Sequence, residues 1–411
     1  MNAPEVFAWI ESKQEEMTSL LVDLVNINSW SDNLEGLTLM ASRLKYEFCS
    51  LKAKTEILTF PSVDKIDAKG KKYVFTTGPG LLLTQRPDAP FRVLLGGHMD
   101  TVYPASSGFL HAKIADDIMY GPGTTDMKGG LVIMLYTLKA WELYREKNKI
   151  GWQVLLTPDE EIGSVCSAAV HKKCAAEADI GMIFEPSFPD GSLADARKGL
   201  ISFSLISKGK SAHSGRDFYE GVNAIVPLMR VLLKLETLND KAKGITLNIA
   251  KIEGGGPANI VPDIATALCS ARQDKREDLL YLKERIRYFI EEENKTKGSD
   301  LTFFCNSERV PKIFDENHQN LYKIFQSAAE ESGIKFLHKP SGGVCDGNIW
   351  ADVGLPNVDT LGCVGGNIHT PNEYIEIKSL VERAKMNLSF LIKIAAENIP
   401  SFNVHHKEAG I

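Results

Sequence analysis

Phe91-Arg-Val-Leu-Leu95 runs into Gly96-Gly97-His98-Met99-Asp100, and two later segments repeat that layout. Trp152-Gln-Val-Leu-Leu-Thr157 is followed by Pro158-Asp159-Glu160-Glu161, and Ile180-Gly-Met-Ile-Phe184 by Glu185-Pro186. Each is a short apolar run bounded by turn residues, the pattern of a buried strand. Each also ends in an acid or a histidine. A stretch of helical spacing from about Lys128 to Tyr144 separates the first two. Strand, helix and strand in that order predict an α/β fold with a mixed, mostly parallel sheet flanked by helices. Ligands of such sheets gather at the carboxyl ends of the strands, where these polar residues would lie.

Outward from that nucleus the texture changes. Ile10, Met17, Leu21 and Leu24 share one helical face near the N-terminus. After about Leu193 the chain alternates as a strand from Ile201 to Ser207, turns helical from Ala224 to Leu235, and alternates again at Ile245, Leu247 and Ile249. A further strand from Ile264 to Arg272, a helix from Leu279 to Ile290 and a strand from Leu301 to Cys305 follow. The order βαββαβ is that of a ferredoxin-like unit. From about Pro311 the α/β texture returns, with a helix near Asn317 to Glu331, a strand near Asn357 to Leu361 and a closing helix from Lys378 to Glu397. Residues 1–195 and 311–411 are therefore expected to form one metal-binding domain, with 196–310 inserted into it as a lid or dimerisation domain.

Composition narrows the functional classes. The 411 residues are 24% charged and 44% hydrophobic, which excludes wholesale disorder. A net charge of -6 argues against a nucleic-acid binder, whose domain normally carries a basic field. The longest notable apolar run, Leu131 to Leu138, stops at Lys139, far short of the roughly 20 residues that cross a bilayer. Met1-Asn2-Ala3-Pro4-Glu5 has neither the basic nor the apolar region of a secretory signal. Seven scattered cysteines without a Cys-x-x-Cys suggest reduced thiols and a cytoplasmic location rather than a disulfide framework.

The chemistry concentrates in His98, Asp126, Glu161, Glu185 and His369. Singly they have ordinary readings: a structural histidine, a helix N-cap, a strand exit. Jointly they fall at one sheet edge. Asp126 lies in Gly121-Pro-Gly-Thr-Thr-Asp126-Met-Lys-Gly-Gly130, a glycine-rich turn before a helix. Imidazoles plus carboxylates without thiolate suit zinc, or cobalt or manganese. Two histidines and three carboxylates are too many for one tetrahedral site that keeps an open position, and they fit two ions roughly 3.5–4 Å apart with one bridging carboxylate. Asp126, at a rigid turn, is the expected bridge. Asp100, two residues past His98, is placed to accept the second imidazole N–H. Of the adjacent pair, Glu161 is assigned to metal and Glu160 to proton transfer. A dinucleotide fingerprint, a P-loop and a nucleophile elbow all fail, the last at Ser211-Ala-His213-Ser-Gly215.

These motifs, with Ala196-Arg197-Lys198-Gly199, Gly254-Gly255-Gly256-Pro-Ala-Asn259-Ile-Val-Pro262 and His369-Thr-Pro-Asn-Glu373-Tyr374, resemble the di-zinc amidohydrolases. That family includes acetylornithine deacetylase, succinyl-diaminopimelate desuccinylase, aminoacylase and glutamate carboxypeptidase. The match runs in order from about residue 20 to 395 and looks most like the glutamate carboxypeptidase branch. The resemblance implies that His98 and Glu185 bind one zinc, Glu161 and His369 the other, with Asp126 between them and Glu160 as base. It implies that the inserted domain supports a homodimer and that His213 steadies the oxyanion. Asn259 and Arg272 match positions that hold the substrate carboxylate or carbonyl. The family's Asp-x-Arg reads Ser270-Ala-Arg272 here, which removes the arginine's acidic neighbour. Arg309 is a second carboxylate candidate, and Gly343 a substrate-loop residue beside Cys345, where Thr or Ser is expected. The implied activity is hydrolysis of an amide or peptide bond next to a carboxylate. N-acyl-amino-acid deacylase or desuccinylase is the alternative, and a metal-stabilised scaffold the non-enzymatic one.

Overall fold

Strand Phe91–His98 lies inside a six-stranded sheet and is buried from Val93 onward. The computed structural model describes residues 1–67 and 69–396. The strands run in the order Lys54–Leu58, Gly80–Gln85, Ile150–Thr157, Phe91–His98, Ile180–Ile183, Asn357–Val358. The first two pairings are antiparallel and the other three parallel, so the sheet is mixed and mainly parallel about its centre. Successive side chains leave a strand on opposite faces. Val93 and Leu95 therefore join the core beneath helices Gly129–Leu143 and Ser379–Ala396, while Leu94 joins Cys174, Ile349 and Trp350 on the other face.

The glycines that precede His98 have a packing cause. A Cβ on Gly96 would stand 2.5 Å from the Trp350 ring, and one on Gly97 2.5 Å from Met127 Cε. Only hydrogen fits on either face, and this close packing fixes where the strand delivers His98.

Residues 199–309 contain a four-stranded antiparallel sheet in the order Thr246–Gly254, Ile264–Gln273, Gly199–Lys208, Leu301–Arg309. Helices Ile225–Glu236 and Arg276–Asn294 cover one face over a core of its own, with Ile201, Phe203 and Leu205 pointing into it. Leu200, Ser202 and Ser204 alternate to the opposite face, which looks into the cleft.

Several elements differ from the sequence expectation. The N-terminal helical face is carried by two helices, Ala3–Glu11 and Gln14–Val25, because the chain turns at Ser12, whose N–H bonds back to the carbonyls of Ala8 and Ile10. The strand expected to reach Leu361 pairs only at Asn357–Val358, after which Asp359 and Thr360 turn into a polar network. The closing helix is Ser379–Ala396, and Glu397 lies outside the described residues. A hairpin of Val63–Ile66 and Lys72–Phe75, the edge strand Lys54–Leu58 and its neighbour Gly80–Gln85 were not expected.

Candidate metal centre

Parallel strands present their carboxyl ends at one edge, and three of them supply the site. His98 is the last residue of its strand; Glu160 and Glu161 follow Ile150–Thr157, and Glu185 follows Ile180–Ile183. Asp126 comes from the tight segment Thr124–Lys128 that enters helix Gly129–Leu143, and its peptide to Met127 is cis. His369 comes from the loop between Gly365–Gly366 and Tyr374–Glu376.

The structure brings these side chains together. Asp126 directs one oxygen at each histidine: Oδ1 is 3.0 Å from His98 Nε2, and Oδ2 is 3.3 Å from His369 Nε2. Glu161 Oε2 lies 3.2 Å from His369 Nε2, and Glu185 Oε1 3.8 Å from His98 Nε2. Potential ligand atoms of His98, Glu160 and Glu185 fall within 4.8 Å of one another, as do those of His98, Asp126 and Glu161. Glu160 thus stands beside the cluster rather than turned away from it.

Asp100 ties the strand end to the acidic turn. Its carboxylate accepts the N–H groups of Glu160 and Glu161 at 3.1 and 3.2 Å and the Ser31 hydroxyl at 2.8 Å. The nearest acceptor to His98 Nδ1 is the Asp100 carbonyl, at 3.0 Å, with the carboxylate at 3.4 Å. The main chain thus shares the orienting role expected of the carboxylate alone.

Glu373, given no role from the sequence, shapes the turn that carries Asp126. It is fully buried, and its two oxygens accept the N–H groups of Thr125 (2.7 Å), Asp126 (2.9 Å) and Gly123 (3.0 Å). It satisfies main-chain donors that a tight turn cannot pair within itself.

Charge crowding is the dominant electrostatic feature. Burial, reinforced by Asp126, pushes Glu161 up to about 7; burial likewise takes Glu185 to about 8. Glu160 is raised well above its ordinary range by burial and by Glu185. Hydrogen bonds to Asp126 and Glu161 lift His369 to about 11. Burial opposes the charge on Asp126, yet the bonds from both imidazoles hold it well below the usual carboxylate range. Two imidazoles and four carboxylates this close cannot all take their neutral-pH forms without added positive charge. The donor set fits divalent cations, and hard or borderline ions suit its nitrogen and oxygen atoms.

A cleft of about 930 Å³ opens over the cluster. Arg272, Arg309 and Gly343 line it. Arg272 and Arg309 both pair with Leu200 across the sheet, so they flank it on adjacent strands. Arg272 Nη1 donates to the Gly342 carbonyl at 2.7 Å in place of the acidic neighbour it lacks. Arg309 is buried, and its Nη2, 3.8 Å from Asp346, has no hydrogen-bond partner among the described residues. Gly343 N donates to Ser341 Oγ. His213 and Asn259 are not brought there: neither lines the cleft among the described residues. They are exposed neighbours on outer loops, where the Ser214 N–H donates to the Asn259 carbonyl.

A family profile described as Peptidase family M20/M25/M40 matches residues 94–393. The chain is 27% identical over 408 residues to carboxypeptidase G2 of Pseudomonas sp. (strain RS-16), covering 95% of this chain and 92% of that protein. It is 30% identical over 211 residues to succinyl-diaminopimelate desuccinylase of Corynebacterium glutamicum, covering 49% of this chain and 55% of that protein. The fold is similar to that of an M20 family metallo-carboxypeptidase from Sulfolobus solfataricus. The TM-score is 0.72 at 20% identity, over 92% of this chain and 99% of that one.

Proposed function

The chain belongs to the peptidase family M20/M25/M40 and is a hydrolytic enzyme, and on that premise we propose that it cleaves an amide or peptide bond adjacent to a carboxylate, releasing a C-terminal amino acid such as glutamate. The observation that carries this reading is the buried Nη2 of Arg309, which lies 3.8 Å from Asp346 but has no hydrogen-bond partner among the described residues, in a cleft shared with Arg272 and the histidine–carboxylate cluster. A planar guanidinium takes a carboxylate in two parallel bonds.

His98 and Glu185 would hold one divalent ion, Glu161 and His369 the other, and Asp126 both, with zinc the ion the donors suit best. Bound there, the ions would polarise the scissile carbonyl and lower the pKa of a water. Glu160 removes a proton from that water and delivers it to the departing amine, which its position beside His98 and Glu185 allows. Asp100 keeps His98 in register with the turn that bears Glu160. Arg309 and Arg272 orient the substrate carboxylate, and Gly343 leaves room for the chain beside it.

His213 and Asn259 do not face the cleft of their own chain, which supports their acting on the site of a second copy. We assign residues 196–310 as the lid and homodimer unit. Helix Ile225–Glu236 exposes Val226, Met229 and Leu233 on the stripe opposite its buried one, and Thr246–Gly254 is an edge strand. No described helix is long and apolar enough to cross a membrane. Seven free cysteines support a cytoplasmic location.

Glu160→Gln tests the mechanism. With zinc-loaded protein and N-acyl-L-glutamate substrates, kcat should fall by roughly 10²–10⁴ with KM changed little. A variant that turned over at the parent rate would remove Glu160 from the reaction.

A further inference from the structure

The cleft face of the inserted sheet carries polar or charged side chains at both ends, Arg272 and Arg309 at one and Lys251, Glu253 and Thr266 at the other, and only the first is used by the reading above. At that end Arg272, Leu200 and Arg309 lie side by side on neighbouring strands. Ile206 pairs with Thr266 six residues along the same strands, about 20 Å away at roughly 3.3 Å per residue. The hairpin Val63–Ile66 and Lys72–Phe75 covers this second end. At its turn Gly70 has φ +72, and a Cβ there would lie 2.7 Å from Ile206 Cγ2 and 3.4 Å from Thr266 Cγ2. The hairpin belongs to the segment that precedes the central strand, so it bridges from the large sheet's side of the cleft to the inserted sheet.

Lys65, Ile66 and Asp67 of this hairpin line the cleft. Most charged groups around them have hydrogen-bond or ion-pair partners, although Asp159 Oδ1 has none among the described residues. Asp67 Oδ1 accepts the N–H groups of Lys69 and Lys71 at 2.9 and 2.8 Å, and Lys251 pairs with Glu253. Asp159 Oδ2 accepts the N–H groups of Cys166 and Ser167. Lys65 Nζ stands 3.6 Å from the centroid of the Phe75 ring and makes no ion pair with a described residue. Asp32 and Asp159 reach it only through space, and burial lowers its pKa. A half-buried ammonium held against an aromatic face, with no carboxylate in direct contact among the described residues, is suited to an incoming anion.

We propose that Lys65 is a specificity-determining residue that binds a carboxylate at the acyl end of the substrate. The substrate class is then an N-acyl amino acid whose acyl group is itself acidic, with an anion at each end of the amide. This deepens the amidohydrolase reading and rests on its placement of the amino-acid carboxylate at Arg272 and Arg309. With that end fixed and the scissile bond over the histidine–carboxylate cluster, the acyl group extends towards the hairpin. A neutral acyl chain of the same length would leave the ammonium unpaired.

The test measures binding apart from turnover. Zinc-loaded Glu160→Gln protein is titrated with N-glutaryl-L-glutamate and N-valeryl-L-glutamate, which share a five-carbon acyl chain and differ in its terminal carboxylate. The glutaryl compound should bind at least tenfold more tightly, the scale of one charge-assisted contact. Adding Lys65→Met should bring the ratio near one, and Lys65→Arg should keep it. A parent without preference, or a preference that survives Lys65→Met, overturns the assignment. If wild-type protein hydrolyses neither compound while the binding ratio still follows residue 65, the anion site stands and the proposed cleavage of an amide beside the glutamate carboxylate fails.

Discussion

Asp126 can face two histidines because a residue far along the chain holds its turn open. Glu373 lies 247 residues beyond Asp126 and accepts the N–H groups of Gly123, Thr125 and Asp126 in that turn. Glu373→Ala should leave those buried donors unpaired at about 1–3 kcal/mol each, a loss of roughly 3 kcal/mol or more in denaturant unfolding. Glu373→Gln, which keeps an acceptor oxygen, should lose less. An alanine variant as stable as the parent would show that the turn holds itself. His98, Glu161 and Glu185 were legible in the sequence because each ends an apolar run. Glu373 was not, because a lone glutamate after His369-Thr-Pro-Asn carries no periodic signal and its partners are main-chain groups. His213 and Asn259 were expected at the site only by resemblance, and nothing in their local sequence says that they do not line the cleft of their own chain.

At the scale of elements, the strands that build the site were readable where burial is two-sided. Phe91–His98 and Ile150–Thr157 are near-continuous apolar runs because helices cover both faces. The inserted sheet was readable from its alternation, Ile201, Phe203 and Leu205 inward and Ser202 and Ser204 outward. The hairpin that carries Lys65 was not: its two four-residue strands bury only Phe75 and show no clean alternation. Helix Ile225–Glu236 has two apolar stripes, one packed on its sheet and one bare, with Leu233 69% exposed. If the bare stripe joins two copies, Leu233→Asp should convert a dimer to a monomer in sedimentation equilibrium while far-UV circular dichroism stays unchanged. A wild-type chain that sediments as a monomer at micromolar concentration would contradict the dimer.

Among the described residues the six-stranded sheet and the inserted four-stranded sheet are the two largest units bordering the cleft, and their domains touch where Arg272 meets Gly342 and where Arg276 pairs with Asp352. We infer that the crowded acids and imidazoles between them hold two cations. Stability and cation binding then depend on pH with a definite sign. Glu161 and Glu185 titrate near 7 and 8 instead of 4.5, and His369 near 11 instead of 6.5. The metal-free folded chain therefore binds more protons than the unfolded chain, from about pH 4.5 to 8 for the glutamates and from about 6.5 to 11 for His369. Its stability falls as pH rises through that window. Cations replace those protons, so their binding strengthens with pH and releases protons. The most direct measurement is calorimetric titration of chelator-stripped protein with Zn²⁺ at about pH 6 and pH 7.5. The expected result is two equivalents per chain, bound more tightly and with proton release at the higher pH; a single equivalent, or an affinity indifferent to pH, would contradict the two-ion site.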